Sequence, residues 1–323
     1  MLIADAPVDA PTAEAVMARA AGENFPVASR MLPARVRYHL LAIYGFARLV
    51  DEIGDRPAPA DASAPDDPRR AGERLAALDW LEAELDRQLT NPVDPLDPVS
   101  PAGAAGAAGR AEHPLLVRVG ATIRECGLAR EPFARLIEAN RMDQRVHRYE
   151  SWAQLRGYCA LSADPVGELV LGVLGLATPE RVALSDSICT ALQLAEHCQD
   201  VAEDLARGRV YLPAEDLRRF GCAEEELAAE HAGEALREVL AFEVARARGL
   251  LDEGAPLIAH LRGRPRLAVA AFLAGGRAAL DAIERARYDV LAGPPRAGRV
   301  RRGLALAAAL RGARGAAGGG MSS

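Results

Sequence analysis

At 323 residues, half of them hydrophobic, the chain is long enough for one large core or two ordinary ones. A formal net charge of -6, with no basic helix interleaved with aromatics, excludes nucleic acid as the main partner. No uncharged apolar run reaches membrane-spanning length, and Cys126, Cys159, Cys189, Cys198 and Cys222 lack CxxC or Cys/His ligand spacing, so they read as free thiols of a reducing cytosol.

Residues 1–22 carry neither a basic n-region nor an apolar h-region and read as a flexible leader rather than a signal peptide. After E-N-F-P-V-A-S-R-M-L-P, Pro33 is expected to open the first long helix, where its missing N–H does no harm. Within Leu40–Asp55, helical spacing puts Tyr44, Arg48, Asp51 and Asp55 on one arc, with Glu52 at its edge, and Ile43, Phe46, Val50 and Ile53 on the other side. Arg56–Pro68 reads as a loop and Arg69–Leu89, with leucines at helical intervals, as a helix. Asn91–Arg110 is low in complexity; its glycines match neither G-x-G-x-x-G nor a Walker pattern, which makes it a flexible insertion.

Helical patterning then covers Pro114–Cys126, Glu131–Arg148, Ser151–Gly175 and Pro179–Arg207, and breaks sharply at Gly208-Arg209-Val210-Tyr211-Leu212-Pro213. Short helices over Glu215–Phe220 and Ala223–Ala229 precede long ones over Glu234–Leu261 and Pro265–Leu291. No period-2 segment interrupts them, so the expected architecture is all-α. Residues 292–323 form an Arg/Ala/Gly-rich tail, read either as a surface helix touching anionic lipid or as a solubilising extension.

The stretch Ala191–Arg207 gathers Gln193, Glu196, His197, Asp200, Glu203, Asp204 and Arg207 into one polar stripe. Like charges four residues apart destabilise a helix, so Glu196, Asp200 and Asp204 in register ask for a cation. Were this helix to face the one carrying Asp51 and Asp55, the carboxylates would wall one site for hard divalent ions completed by substrate phosphates; the bland alternative is two solvated acidic faces.

Y-G-F-A-R-L-V-D-E-I-G-D at 44–55 and L-Q-L-A-E-H-C-Q-D-V-A-E-D-L-A-R-G-R-V-Y-L-P at 192–213 resemble the two aspartate-rich motifs of the squalene/phytoene synthases. The resemblance runs from about Glu23 to about Leu291, apart from the insertion, and takes in I-E-A-N-R-M-D-Q-R-V-H-R-Y-E and Y-C-A-L-S-A-D-P-V-G-E-L-V-L. Within that family, E-N-F-P-V-A-S-R and L-Q-L-A-E-H-C-Q-D look most like the bacterial hydroxysqualene synthases of hopanoid biosynthesis.

The resemblance implies an isoprenoid synthase fold, a single helical domain around a central cavity over residues 23–291, and two to three Mg²⁺ ions. No nicotinamide is expected. The implied reaction is presqualene diphosphate plus water to hydroxysqualene and diphosphate, a carbon-oxygen lyase step. The alternative within the family is head-to-head transfer on farnesyl diphosphate, and outside it a silent helical protein that binds prenyl lipid or a partner enzyme of the pathway. Carried over by position, Asp51, Asp55, Asp200 and Asp204 become metal ligands, with Glu196 where many relatives have a metal-binding asparagine. Tyr44, Arg48, Gln193, Arg209 and Tyr211 would line the diphosphate end, with Tyr44, Arg48 and Tyr211 in the catalytic roles, and Asn24 and Phe25 fall on a substrate-phosphate loop. Gly275-Gly276 replaces a region where relatives carry a tyrosine, which would open space for water. The implied location is cytoplasmic, with peripheral contact at the inner face of the membrane.

Other residues read as structural: Tyr149, Trp152 and Tyr158 as core or helix-contact aromatics, His231 and His260 as exposed helix residues. Asp143 and Arg141 read either as wall residues or as a surface ion pair.

Overall fold

The computed structural model describes residues 32–55, 68–90 and 113–295. The leader, Asn24 and Phe25, the insertion at 91–110 and the arginines beyond Pro295 lie outside the described residues. The described residues are helical, with no named strand and a single isolated bridge, Arg148 to Val210. None of their helices is long and apolar enough to cross a membrane.

The chain divides into two compact units, residues 1–145 with 169–176, and residues 146–168 with 177–323. In the first, α1 (Ala34–Gly54), α2 (Pro68–Thr90), α3 (Pro114–Cys126) and α4 (Glu131–Met142) pack on one another. The apolar side of α1 is buried as its spacing predicts: Leu40, Ile43, Phe46, Leu49, Val50 and Ile53 are all at most 2 % exposed. Phe46 meets Phe133 of α4 edge to face at 5.2 Å, and each such fully buried side chain contributes about 2 kcal/mol relative to exposure. Pro33 sits one position earlier than expected, as the extended residue preceding α1, and its carbonyl accepts from Arg37 N–H at 2.9 Å. At the outer edge, Arg141 bonds Asp79 at 2.6 Å and Glu82 at 2.7 Å, while Arg130 bonds Glu82 and Asp86. Arg141 is therefore an ion-pair residue that ties α4 to α2.

In the second unit, α5 (Trp152–Ser162), the start of α6 (Asp164–Val173), α7 (Pro179–Gln199), α8 (Val201–Ala206), α9 (Ala214–Arg219), α10 (Glu234–Gly254), α11 (Leu257–His260) and α12 (Gly263–Arg285) follow in order, with a 3₁₀ turn at Glu224–Ala228. Helices α7 and α10 form its spine. Thr178 caps α7, its hydroxyl accepting from Arg181 N–H at 3.3 Å, and Pro179 fills the first helical position. Asp164 is 2 % exposed and held by Arg156 and Thr190, both at 2.8 Å, which joins α5, α6 and α7.

Several helices are shorter than periodicity suggests. Glu131–Arg148 stops at Met142, because buried Gln144 turns back to donate to the carbonyls of Asn140 at 3.0 Å and Gly54 at 3.1 Å. Ser151–Gly175 is two helices separated at Ala163, and Glu234–Leu261 is interrupted after Gly254 by the Ala255-Pro256 turn. His231 lies in a loop beside Asp289, not on a helix; His260 ends α11 near Glu180. The expectation of open space at Gly275-Gly276 holds only for Gly275. A Cβ on Gly276 would come within 2.6 Å of Leu192 Cδ2, so that glycine is a close crossing of α12 and α7.

All five cysteines are free. Burial pushes Cys159 and Cys189 up to about 12 and Cys222 to about 11, as expected of inert core thiols.

One charged cluster is buried in this second core. Glu243 of α10 is 1 % exposed and accepts from Arg246 at 2.5 Å; Arg246 also donates to Asp216 at 2.9 Å and lies 4.7 Å over the Trp152 ring. One guanidinium thus serves two carboxyls. Burial raises Glu243 from about 4.5 to about 8, Arg246 opposes this, and the adjacent Asp216 adds to it. A carboxyl whose pKa is raised by folding takes up a proton on folding between those two values. Stability is therefore expected to fall as pH rises from about 4.5 to about 8, through this group. Urea titrations across that range should show the slope flattened in Glu243→Gln; an unchanged slope would contradict the assignment.

Candidate active site

The first acidic motif is presented by the last two turns of α1. Tyr44 is 8 % exposed and Arg48 Nη1 lies 3.9 Å from Asp51 Oδ2. Asp55 is exposed and forms the C-cap, its N–H bonding Asp51 O at 2.7 Å. The Asp51 side chain keeps 49 % accessibility, yet its pKa is pushed up to about 6. Loss of hydration is the main cause and the neighbouring Asp55 charge the second; a hydrogen bond from Asn140 and the charge of Arg48 act the other way, and Asp143 adds a smaller push. A carboxylate that reaches solvent while hemmed in by protein and other acids is held ready for a cation.

Sequence reasoning missed Asn140, whose Nδ2 donates to Asp51 Oδ1 at 3.3 Å. The signal was present in I-E-A-N-R-M-D-Q: Asn140, Asp143 and Gln144 recur at the three- and four-residue spacing that shares a face, and all three are at most 9 % exposed. Gly54 makes room for that face, since a Cβ there would collide with the Asn140 side-chain amide. Gly54→Ala is expected to displace Asn140 from Asp51 and lower turnover about tenfold, about the worth of one hydrogen bond to a charged group. Asn140→Ala should reproduce the loss if the displacement is its cause.

The second motif departs from a single helix over Ala191–Arg207. Helix α7 ends at Gln199, Asp200 leaves helical geometry at φ −103° and ψ 18°, and α8 restarts at Val201. Asp200 serves as the cap of both helices, its N–H bonding Glu196 O at 2.9 Å and its carbonyl accepting from Asp204 N–H at 2.8 Å. Glu196 is exposed, Gln193 and Asp200 are half-buried, and the Asp204 side chain is 15 % accessible.

His197, read from sequence only as part of the polar stripe, is 6 % exposed and central to the local packing. Its ring stacks on Tyr211 at 4.0 Å and 13°, its Nδ1 lies 3.9 Å from Asp204 Oδ2, and its Nε2 lies 3.4 Å from Gln193 Nε2. Burial lowers its pKa to about 3, so it is a neutral ring and adds no positive charge. Tyr211 also stacks on Tyr149 at 5.8 Å, and Tyr158 lies 5.4 Å from Tyr211 and 5.5 Å from Tyr149. Tyr149 and Tyr158 are core aromatics, as expected, and Trp152 contacts Arg246.

His197, Asp204, Arg209 and Tyr211 line one small recess, closed by Val201, Val210, Leu212 and Leu227. Three sequence-predicted site residues are thus brought together in this unit. The chain enters the recess through Gly208 at φ +79°, a left-handed position that favours glycine, and Arg209 N–H closes the turn on Asp204 O at 2.9 Å.

Among the described residues, no three His, Cys, Asp or Glu side chains gather closely enough to hold a metal ion by themselves. The donor set nevertheless fits Mg²⁺. It offers hard carboxylate oxygens in pairs, and Mg²⁺ is commonly bound by one or two carboxylates with substrate phosphates supplying further oxygens.

Residues 18–303 match the squalene/phytoene synthase family. A hydroxysqualene synthase from Sinorhizobium fredii is 34% identical over 241 residues, 74% of this chain and 72% of the relative. A phytoene synthase from Arthrospira platensis is 30% identical over 289 residues, 83% of this chain and 82% of the relative. The crystal structure of squalene synthase HpnC from Alicyclobacillus acidocaldarius superposes with a TM-score of 0.70 at 40% identity, covering 85% of this chain and 94% of that one.

Proposed function

Since the chain belongs to the squalene/phytoene synthase family and has its all-α isoprenoid synthase fold, we propose that it converts presqualene diphosphate and water to hydroxysqualene and diphosphate with Mg²⁺. The observation that carries this reading is the 34% identity to a hydroxysqualene synthase across nearly three quarters of the chain. The charge-strained Asp51 and the Asp204, Arg209 and Tyr211 recess agree with it.

In the reaction the carbon–oxygen bond to diphosphate breaks and its electron pair leaves with the diphosphate. Water oxygen then bonds to the carbocation and releases a proton. Asp51, Asp55, Asp200 and Asp204, with Glu196 as the departure from asparagine, would hold Mg²⁺, which supplies electrostatic stabilisation of the leaving group. In the first unit Arg48 would bring positive charge to a bound diphosphate and the Tyr44 hydroxyl would orient its oxygens; in the second unit Arg209, Gln193 and Tyr211 would offer the same kinds of contact.

The 30% identity to a phytoene synthase favours a second reading, head-to-head transfer on farnesyl diphosphate. Incubation of purified protein with Mg²⁺ and each diphosphate in turn separates them. Hydroxysqualene from presqualene diphosphate without NADPH, and no consumption of farnesyl diphosphate alone, is the expected result; a coupled C30 product from farnesyl diphosphate would favour the transferase.

A further inference from the structure

We propose that Arg148 is a positioning residue for the diphosphate end, clamping the segment Gly208-Arg209-Val210-Tyr211 in register through a fork held by Glu224. The inference rests on the assignment of Arg209 and Tyr211 to that end.

Residues 147–148 run beside 208–210 as the isolated parallel bridge, with Val210 N–H donating to His147 O at 2.9 Å. One nitrogen of Arg148, Nη1, donates to Gly208 O at 2.5 Å and to His147 O at 2.8 Å, spanning both sides of the bridge. Its other edge is fixed by Glu224, with Nε 3.0 Å and 2.9 Å from the two carboxylate oxygens and Nη2 2.6 Å from Oε1. The Arg148 interaction lowers the Glu224 pKa. Only a planar guanidinium can offer one face of donors to a carboxylate and another to two carbonyls. Lysine cannot.

The pair is 37 % and 46 % accessible, so its removal should cost little stability. Its consequence is local. It holds the carbonyl of the left-handed Gly208, one residue before Arg209, while Tyr211 on the far side is fixed by the His197 stack. Releasing the clamp frees the Arg209 backbone from one end only.

The test measures binding of inorganic pyrophosphate with MgCl₂ by calorimetry, together with thermal unfolding, in Arg148→Met, Arg148→Lys, Glu224→Gln and Arg209→Ala. Arg218→Met serves as the control, because Arg218 pairs with Glu150 at 3.2 Å on the same unit and is more exposed. Arg148→Met is expected to weaken pyrophosphate about tenfold, Arg148→Lys and Glu224→Gln by less, and Arg218→Met not at all. Unfolding midpoints should stay within about 2 °C of wild type. Wild-type affinity in Arg148→Met alongside weakened binding in Arg209→Ala overturns the clamp, as does an equal loss in Arg218→Met. Should Arg148→Met fail to fold, Arg148→Lys and Glu224→Gln decide by the same criteria. Unaltered binding in Arg209→Ala, or none in the wild type, overturns the reading of the diphosphate end itself.

Discussion

Asp51→Asn and Asp200→Asn are each expected to lower turnover of presqualene diphosphate by about 10²–10³-fold, the loss usual when one preorganised stabiliser of developing charge is removed. The helical circular dichroism signal should be unchanged. Asparagine keeps the size of the side chain, and at position 51 it still offers an oxygen to the Asn140 amide. What it removes is the charge. Asp51 carries that charge at a cost, with its pKa raised to about 6 by lost hydration and by Asp55, so Asp51→Asn should leave the protein as stable as wild type or more stable above pH 6. A loss of activity with gained stability separates a ligand from a structural carboxylate. Glu203→Gln, on an exposed residue of α8, is the control expected to keep full turnover. Wild-type rates in both motif variants would sink the assignment of these carboxylates.

Gly254→Ala is expected to be the most damaging small substitution in the core of the second unit. A Cβ at position 254 would lie 2.7 Å from Leu184 O and closer still to Ile188 Cγ1. Ile188 can change rotamer, but the backbone carbonyl of α7 cannot retreat without moving the helix. Overpacking of this kind costs about 3 kcal/mol, and the better helix propensity of alanine returns about 1 kcal/mol, for a net loss of about 2 kcal/mol. The melting temperature should fall by about 4–8 °C. Gly249→Ala, where nothing lies within 4 Å of the new methyl, should instead be neutral or stabilising. Equal melting temperatures for the two alanine variants would contradict the close-crossing account.

The first motif was legible because α1 obeys one period from end to end. Its buried residues fall where apolar spacing puts them, and Arg48, Asp51 and Asp55 lie on the accessible side. The second motif was legible in content and misread in shape. Nothing in A-E-H-C-Q-D-V-A-E-D marks the break at Asp200, where neither Gly nor Pro intervenes and one residue caps both helices. Asn140, the His197–Tyr211 stack and the Arg148–Glu224 fork were invisible for another reason. Each joins residues between 14 and 89 positions apart, and helical periodicity carries no information about which faces meet. The early end of α4 belongs with these, since the carbonyl of Gly54 that Gln144 caps is 90 residues away.

The central claim, capture of the carbocation by water, is tested most directly by running the reaction on presqualene diphosphate and Mg²⁺ in H₂¹⁸O and weighing the product by mass spectrometry. One ¹⁸O per molecule of hydroxysqualene, independent of NADPH, is the predicted result. Squalene formed only with NADPH, or an alcohol carrying no label, would contradict it.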